Sequence, residues 1–207
     1  MKKIIIIDYG LGNISSVKNT LNFLGLQFEI LSNNTSKINL KNIRGFILPG
    51  VGSFPEGMQN IKERKFDLLL KELVKRKIPG MGICLGMQIF SEWSNEGGKK
   101  TSGLGFFNAG VVKMDNKYDK VPHIGWTLTK QINEIKLDLN FNCDFYYVHS
   151  YSVVTDDKNL VIATFNHGNI NYSAAVFKDN LLGVQFHPEK SQENGLILIN
   201  NFFKSFK

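Results

Sequence analysis

Gly82-Ile83-Cys84-Leu85-Gly86 reads G-x-C-x-G, the pattern of a nucleophile elbow with sulfur in place of oxygen. A strand that turns abruptly into a helix needs small residues two before and two after the nucleophile, since side chains there would collide in the tight turn. The helix start also turns backbone N–H groups and a partial positive charge toward the sulfur, which favours thiolate over thiol. Cys84 is therefore expected to be an activated nucleophile. The other cysteine, Cys143, stands between Asn142 and Asp144 without any such setting and is expected to be structural.

A thiolate that attacks a carbonyl needs a base that later returns the proton to the leaving group, and that base needs an orienting partner. Four histidines compete: His123, His149, His167 and His187. His187 closes the apolar run Leu182 to Phe186 and is followed by Pro188-Glu189. Proline fixes the backbone there, and Glu189 is placed to hold the imidazole tautomer and stabilise imidazolium. The third element is Pro49-Gly50-Val51-Gly52-Ser53-Phe54. Acyl transfer creates a tetrahedral oxyanion that preset backbone N–H groups stabilise, and glycines let such a loop approach the substrate closely. Neither the G-x-x-x-x-G-K-[ST] phosphate loop nor a G-x-G-x-x-G helix opening is present.

These residues must be positioned by a fold. Ile4 to Ile7 is apolar at every position and too short for a helix, as in a strand buried on both faces. Turn residues follow, with Asn13 placed to cap a helix whose apolar positions Ile14, Val17, Leu21 and Leu24 run up to Gly25. Strands are expected at Gln27 to Leu31, Phe46 to Leu48 and Met81 to Ile83, and helices at Phe66 to Arg76 and Leu85 to Trp93. From about residue 103 short strands take over, at Gly110 to Met114, His123 to Thr129, Asp144 to Val148, Leu160 to Phe165, Tyr172 to Phe177 and Leu182 to Phe186. A closing helix spans Asn194 to Phe206. The expected fold is α/β, a mainly parallel sheet flanked by helices with an added antiparallel section in the second half, as one domain over residues 1–207. In such a sheet the carboxyl ends of the strands share one edge, so Cys84 and His187 can meet there although they are distant in sequence.

The chain has 207 residues, 43% of them apolar, enough for a sizeable core without disulfides or a structural metal. Its two cysteines lack zinc-type spacing, and neither a metal nor a cofactor is expected. No apolar stretch approaches the roughly 18 residues of a membrane span, and Asp8 ends the first apolar run too early for a signal peptide. A cytoplasmic protein that binds no membrane is expected. Of the 25 basic residues only Arg44, Arg64 and Arg76 are arginines and the lysines are scattered, so the net charge of +7 is read as a solvated surface and not a nucleic-acid site.

Cys84 within GICLGMQ, Pro49 to Phe54 as PGVGSF and Phe186 to Lys190 as FHPEK resemble the class I (triad) glutamine amidotransferases, whose fold is flavodoxin-like. Asp8 to Asn13 as DYGLGN, Pro122 to Trp126 as PHIGW and Tyr147 to Tyr151 as YVHSY are similar to the glutaminase subunits of imidazole glycerol phosphate synthase. The resemblance runs in order over essentially the whole chain. It implies hydrolysis of L-glutamine to glutamate and ammonia, with Cys84 forming a γ-glutamyl thioester, His187 shuttling the proton and Glu189 orienting His187. It implies an oxyanion hole from Gly50, Val51, Gly52 and the Leu85 amide, and a glutamine site from Gln88, Glu96, Ser150 and Tyr151, with Glu96 suited to the substrate amine.

The resemblance further implies a heterodimer with a (β/α)₈ cyclase, to which ammonia passes through a sealed interface faced by Asn13, Trp126 and Lys190. The cyclase products would be imidazole glycerol phosphate and an aminoimidazole carboxamide ribotide. One departure bears on pairing: Thr127 follows Trp126 where asparagine is common in the family. The alternatives are a paralogue feeding ammonia to another acceptor, such as a sugar amidotransferase, and a noncatalytic interaction subunit; the intact Cys84, His187 and Glu189 set argues against the second.

Overall fold

The computed structural model describes residues 2–33 and 39–206. Strand β1 (Lys3–Ile7) is buried on both faces, as its unbroken apolar run requires. Because successive side chains alternate, Ile4 and Ile6 enter one core layer and Ile5 and Ile7 the other. Helix α1 (Ile14–Phe23) packs Val17 and Leu21 into the Ile4 layer. It ends where Gly25 adopts φ 65°, which lets the Leu26 N–H reach back to the Leu21 carbonyl at 2.9 Å. Strands β2 (Phe28–Leu31) and β3 (Ile43–Gly50) flank β1 in parallel. Helices α2 (Phe54–Glu63) and α3 (Phe66–Lys75) follow, then β4 (Gly80–Cys84) and the short α4 (Leu85–Ile89). The Ile5 layer is closed by Met58 and Ile61 of α2 and by Leu69, Leu70 and Leu73 of α3.

The second half supplies β5 (Ser91–Ser94), β6 (Thr101–Ser102), β7 (Phe107–Lys113), β8 (His123–Gln131) and β9 (Asp144–His149). It continues with β10 (Tyr151–Val154), β11 (Val161–His167), β12 (Ile170–Lys178), β13 (Leu181–Val184) and α5 (Gln192–Lys204). One nine-stranded sheet has the order β2-β1-β3-β4-β13-β12-β11-β8-β9. It is parallel from β2 to β13 and antiparallel from β13 outward, which is the expected mainly parallel sheet with an antiparallel extension. A four-stranded sheet, β10-β7-β5-β6, covers part of it. Helix α5 contributes Leu198, Ile199, Phe202 and Phe203 to the Ile4 layer.

Two local expectations are corrected. The helix expected from Leu85 to Trp93 stops at Ile89, because the Phe90 carbonyl accepts the Phe106 and Phe107 N–H groups at 2.8 and 2.9 Å and the next residues pair with β7. Sheet hydrogen bonds from distant residues replace helical ones, which no local propensity reveals. Asn13 does occupy the position before α1, but its side chain makes no capping hydrogen bond; only its carbonyl enters the helix, accepting the Val17 N–H at 3.2 Å. Helix α2 is not among the expected elements; Pro55 suits its first turn, and a Cβ on Gly57 would lie 2.9 Å from the Ile89 side chain. No helix of the described residues is long and apolar enough to cross a membrane.

Candidate active site

Cys84 sits at the junction of β4 and α4 with φ 52° and ψ −109°, a strained conformation for a residue with a Cβ. The two glycines of the motif make this turn possible. A Cβ on Gly82 would lie 2.8 Å from the carbonyl of Gly86, and one on Gly86 would collide with the backbone carbonyl of Leu48. The strand-to-helix elbow read from G-x-C-x-G is therefore present. Leu85, the first residue of α4, has an N–H without an intrahelical acceptor. Cys84 is only 6% exposed, with its sulfur opening on a pocket.

His187 follows β13, next to β4 in the sheet, so histidine and cysteine leave the same edge. Its backbone is tied to β9: the His187 N–H donates to the Tyr146 carbonyl at 2.8 Å, and the Ser191 hydroxyl donates to the His187 carbonyl at 2.7 Å while accepting the Tyr146 N–H at 3.0 Å. The imidazole Nδ1 is 2.8 Å from Oε1 of Glu189, with both side chains 1% exposed. Nε2 is buried and has no hydrogen-bond partner of normal geometry among the described residues. Burial pulls the His187 pKa down, but Cys84, through charge and hydrogen bonding, and then Glu189 outweigh it and push it up to about 10. The direction favours imidazolium beside sulfur, the state in which a cysteine is nucleophilic.

The pocket beside the sulfur has a volume of about 290 Å³. Val51, Gly52 and Leu85 line it together with Gln88, Glu96, Ser150, Tyr151 and His149. Seven of the eight oxyanion-loop and glutamine-site residues expected from sequence thus line one cavity, and Gly50 does not. Gly50 closes β3 in register with Cys84, and a side chain there would strike Tyr9 and Leu85. Gly52 adopts φ 104°, so the loop conformation itself calls for glycine. Glu96 accepts the Phe54 N–H at 2.7 Å, at the start of α2. Burial raises its pKa, and this hydrogen bond partly offsets the rise. A partly desolvated carboxylate at the cavity wall is a receptor for an ammonium group.

Residues 5–206 match the family described as glutamine amidotransferase class-I. The chain belongs to this family. The amidotransferase is 46% identical over 206 residues to "Imidazole glycerol phosphate synthase subunit HisH 2" of Methanococcus maripaludis, covering 97% of this chain and 98% of that one. It is 43% identical over 204 residues to the subunit of the same name from Vibrio vulnificus, covering 97% and 93%. It therefore falls among the HisH glutaminase subunits of that synthase. Among solved structures, PurLQS from Thermotoga maritima superposes over 100% of both chains with a TM-score of 0.76 at 17% identity, a likeness of fold.

In the amidotransferase two of the three residues expected to face a partner, Trp126 and Lys190, meet at Tyr146. Trp126 is 47% exposed and stacks edge-on against Tyr146 at 6.1 Å, and the Lys190 ammonium lies 5.9 Å from the Tyr146 ring. Asn13 precedes α1, which packs against the turn Pro188–Lys190. Ile124 and Leu128 extend the exposed apolar face of β8 on either side of Trp126. Thr127 turns inward, its hydroxyl 2.8 Å from His123 Nε2.

Sequence reasoning does not single out Gln185, Ser191, His123 or His149 as parts of this site. His149 Nδ1 donates to the Tyr151 carbonyl at 2.9 Å, and its Nε2 is 3.3 Å from His123 Nδ1. Burial chiefly lowers both pKa values, to about 3 for His149 and about 4 for His123. Cys143 lies at the start of β9, where burial raises its pKa, and its sulfur donates to the Asn140 carbonyl at 3.8 Å.

Proposed function

We propose that Cys84, His187 and Glu189 are the catalytic triad of a glutaminase that serves a cyclase subunit in histidine biosynthesis. The Cys84 thiolate adds to the carboxamide carbon of L-glutamine, and the oxyanion is received by the N–H groups of the Gly50–Gly52 loop and Leu85. The His187 imidazolium gives its proton to the leaving nitrogen as the C–N bond breaks, releasing ammonia and leaving a γ-glutamyl thioester. Neutral His187 then takes a proton from water, which attacks the thioester and restores the thiolate with glutamate as product. Glu189 orients His187 and stabilises its cationic form. Glu96 receives the substrate amine, while Gln88, Ser150 and Tyr151 hold the rest of the head group.

In this reading the chain acts as one cytoplasmic domain in a heterodimer with a (β/α)₈ cyclase. The face with Asn13, Trp126 and Lys190 docks the partner and seals the passage of ammonia, which protonation in bulk water would make useless as a nucleophile. With the cyclase it completes a lyase that forms imidazole glycerol phosphate and an aminoimidazole carboxamide ribotide. The observation that supports the reading is the 2.8 Å contact of His187 with Glu189 at the sheet edge from which Cys84 also leaves, together with a 290 Å³ pocket lined by Cys84 and Glu96. Copurification with candidate cyclases, followed by product identification, tests it. A stable complex making both products from glutamine is expected; transfer of nitrogen to a sugar, or full glutaminase activity without any partner, would overturn the assignment.

A further inference from the structure

Gln185 follows β13, two residues before His187, with its side chain completely buried. Its Nε2 lies 3.6 Å from the Cys84 sulfur and its Oε1 3.0 Å from Gln88 Nε2. The orientation of a buried amide has to be derived from its neighbours, and here one backbone group settles it. Gln88 Nε2 is also 3.0 Å from the Tyr151 carbonyl. A carbonyl can only accept, so the Gln88 atom is the NH₂ group. The Gln185 atom facing it must then be the oxygen, and the atom facing Cys84 must be an N–H donor.

The Tyr151 carbonyl is held from a second side in the same sense. It accepts His149 Nδ1–H, so in the neutral ring His149 Nε2 accepts from His123 Nδ1–H, and His123 Nε2 accepts the Thr127 hydroxyl. Both chains of hydrogen bonds therefore have a fixed direction, and the first ends on the nucleophile.

We propose that Gln185 is a further catalytic residue, donating a hydrogen bond to the Cys84 sulfur that favours thiolate over thiol. The proposal rests on Cys84 being the nucleophile. Two contacts of the sulfur oppose each other. The Val148 carbonyl, 3.8 Å away, can accept from a thiol but only repels a thiolate, whereas the Gln185 amide strengthens as charge develops on sulfur. The titratable groups facing Cys84 are His187, which favours the thiolate, and the buried Tyr9 hydroxyl, coupled to it through charge.

The test is the pH dependence of Cys84 alkylation by iodoacetamide in the full chain, with Cys143 resolved by peptide mapping, for the wild type, Gln185→Met and Gln185→Leu. Both variants are uncharged and remove the donor. The alkylation midpoint is expected to rise by about one pH unit, a tenfold loss of thiolate at any pH well below it. Glutaminase kcat in the complex with the partner is expected to fall with it and KM to change little. Gln185→Leu gives the same readout if the methionine variant does not fold. An unchanged midpoint, or an effect confined to KM or stability, would overturn the inference and leave a merely structural Gln185. Glutaminase activity that survives complete Cys84 alkylation in the wild type would instead overturn the assignment of the nucleophile.

Discussion

Replacing Glu189 by glutamine isolates the charge of the orienting residue. The pair with His187 is 2.8 Å long and shielded from solvent, and the second oxygen, Oε2, has no hydrogen-bond partner among the described residues, so the carboxylate acts on the ring through one contact. Glutamine keeps an oxygen able to accept from Nδ1–H but removes the negative charge that stabilises imidazolium. A hydrogen bond to a charged group contributes about 1.5–3 kcal/mol, which converts to a fall in kcat of roughly ten- to 150-fold if the cation forms in each transition state. KM should barely move, because neither residue lines the glutamine pocket. Glu189 is one of the groups that hold the His187 pKa up toward about 10, so its neutralisation lowers that pKa and shifts the alkaline limb of activity to lower pH. Steady-state glutaminase assays across pH, run in the presence of the partner, read all three quantities. A variant with wild-type kcat and an unmoved alkaline limb would refute the reasoning, since the ring would then need no carboxylate.

Glu96→Gln keeps an acceptor for the Phe54 N–H, now 2.7 Å from the carboxylate, and so spares the start of α2. It removes the counter-charge for the substrate amine; KM for glutamine is expected to rise roughly tenfold or more with kcat at saturation little changed, as substrate-titration kinetics would show. His149 and His123 have folded pKa values of about 3 and about 4, both below the ordinary 6.5, chiefly because of burial. As pH falls the unfolded chain takes up protons first, so stability that is full above about 6.5 is lost toward about 3 to 4, at about 1.4 kcal/mol per pH unit for each ring that stays neutral. Between pH 6.5 and 5 this is about 2 kcal/mol per ring. Denaturant titrations at several pH values should show the loss, and His149→Gln should reduce its slope; an identical slope would locate the acid sensitivity elsewhere.

The legible part of the site is the part written in short motifs. Gly82, Cys84 and Gly86 announce the elbow because each glycine answers a backbone collision within the turn itself, and the Pro49–Phe54 and Phe186–Lys190 stretches stand at strand ends for similar local reasons. Ile4 to Ile7 likewise reveals a strand buried on both faces without reference to any other segment. What stays hidden depends on partners far along the chain. Nothing around Ser91–Ser94 indicates that Phe106 and Phe107 will take the Phe90 carbonyl and end α4. Gln185 reads as one polar residue closing an apolar strand, and only the packing of α4 and β10 brings Gln88 and the Tyr151 carbonyl to it. Ser191 carries no signal ahead of the expected closing helix, yet its hydroxyl fastens His187 to β9.

The central claim is that glutamine is cleaved through a covalent bond to Cys84. Acid quenching of the complex during turnover with glutamine, followed by intact-mass and peptide mass spectrometry, measures this directly. The wild type should carry one γ-glutamyl group, mapped to the peptide containing Cys84, and Cys84→Ala should carry none while still supporting synthesis from added ammonium salts. Glutamine-dependent turnover by Cys84→Ala, or an acyl group found on another residue, would contradict the account.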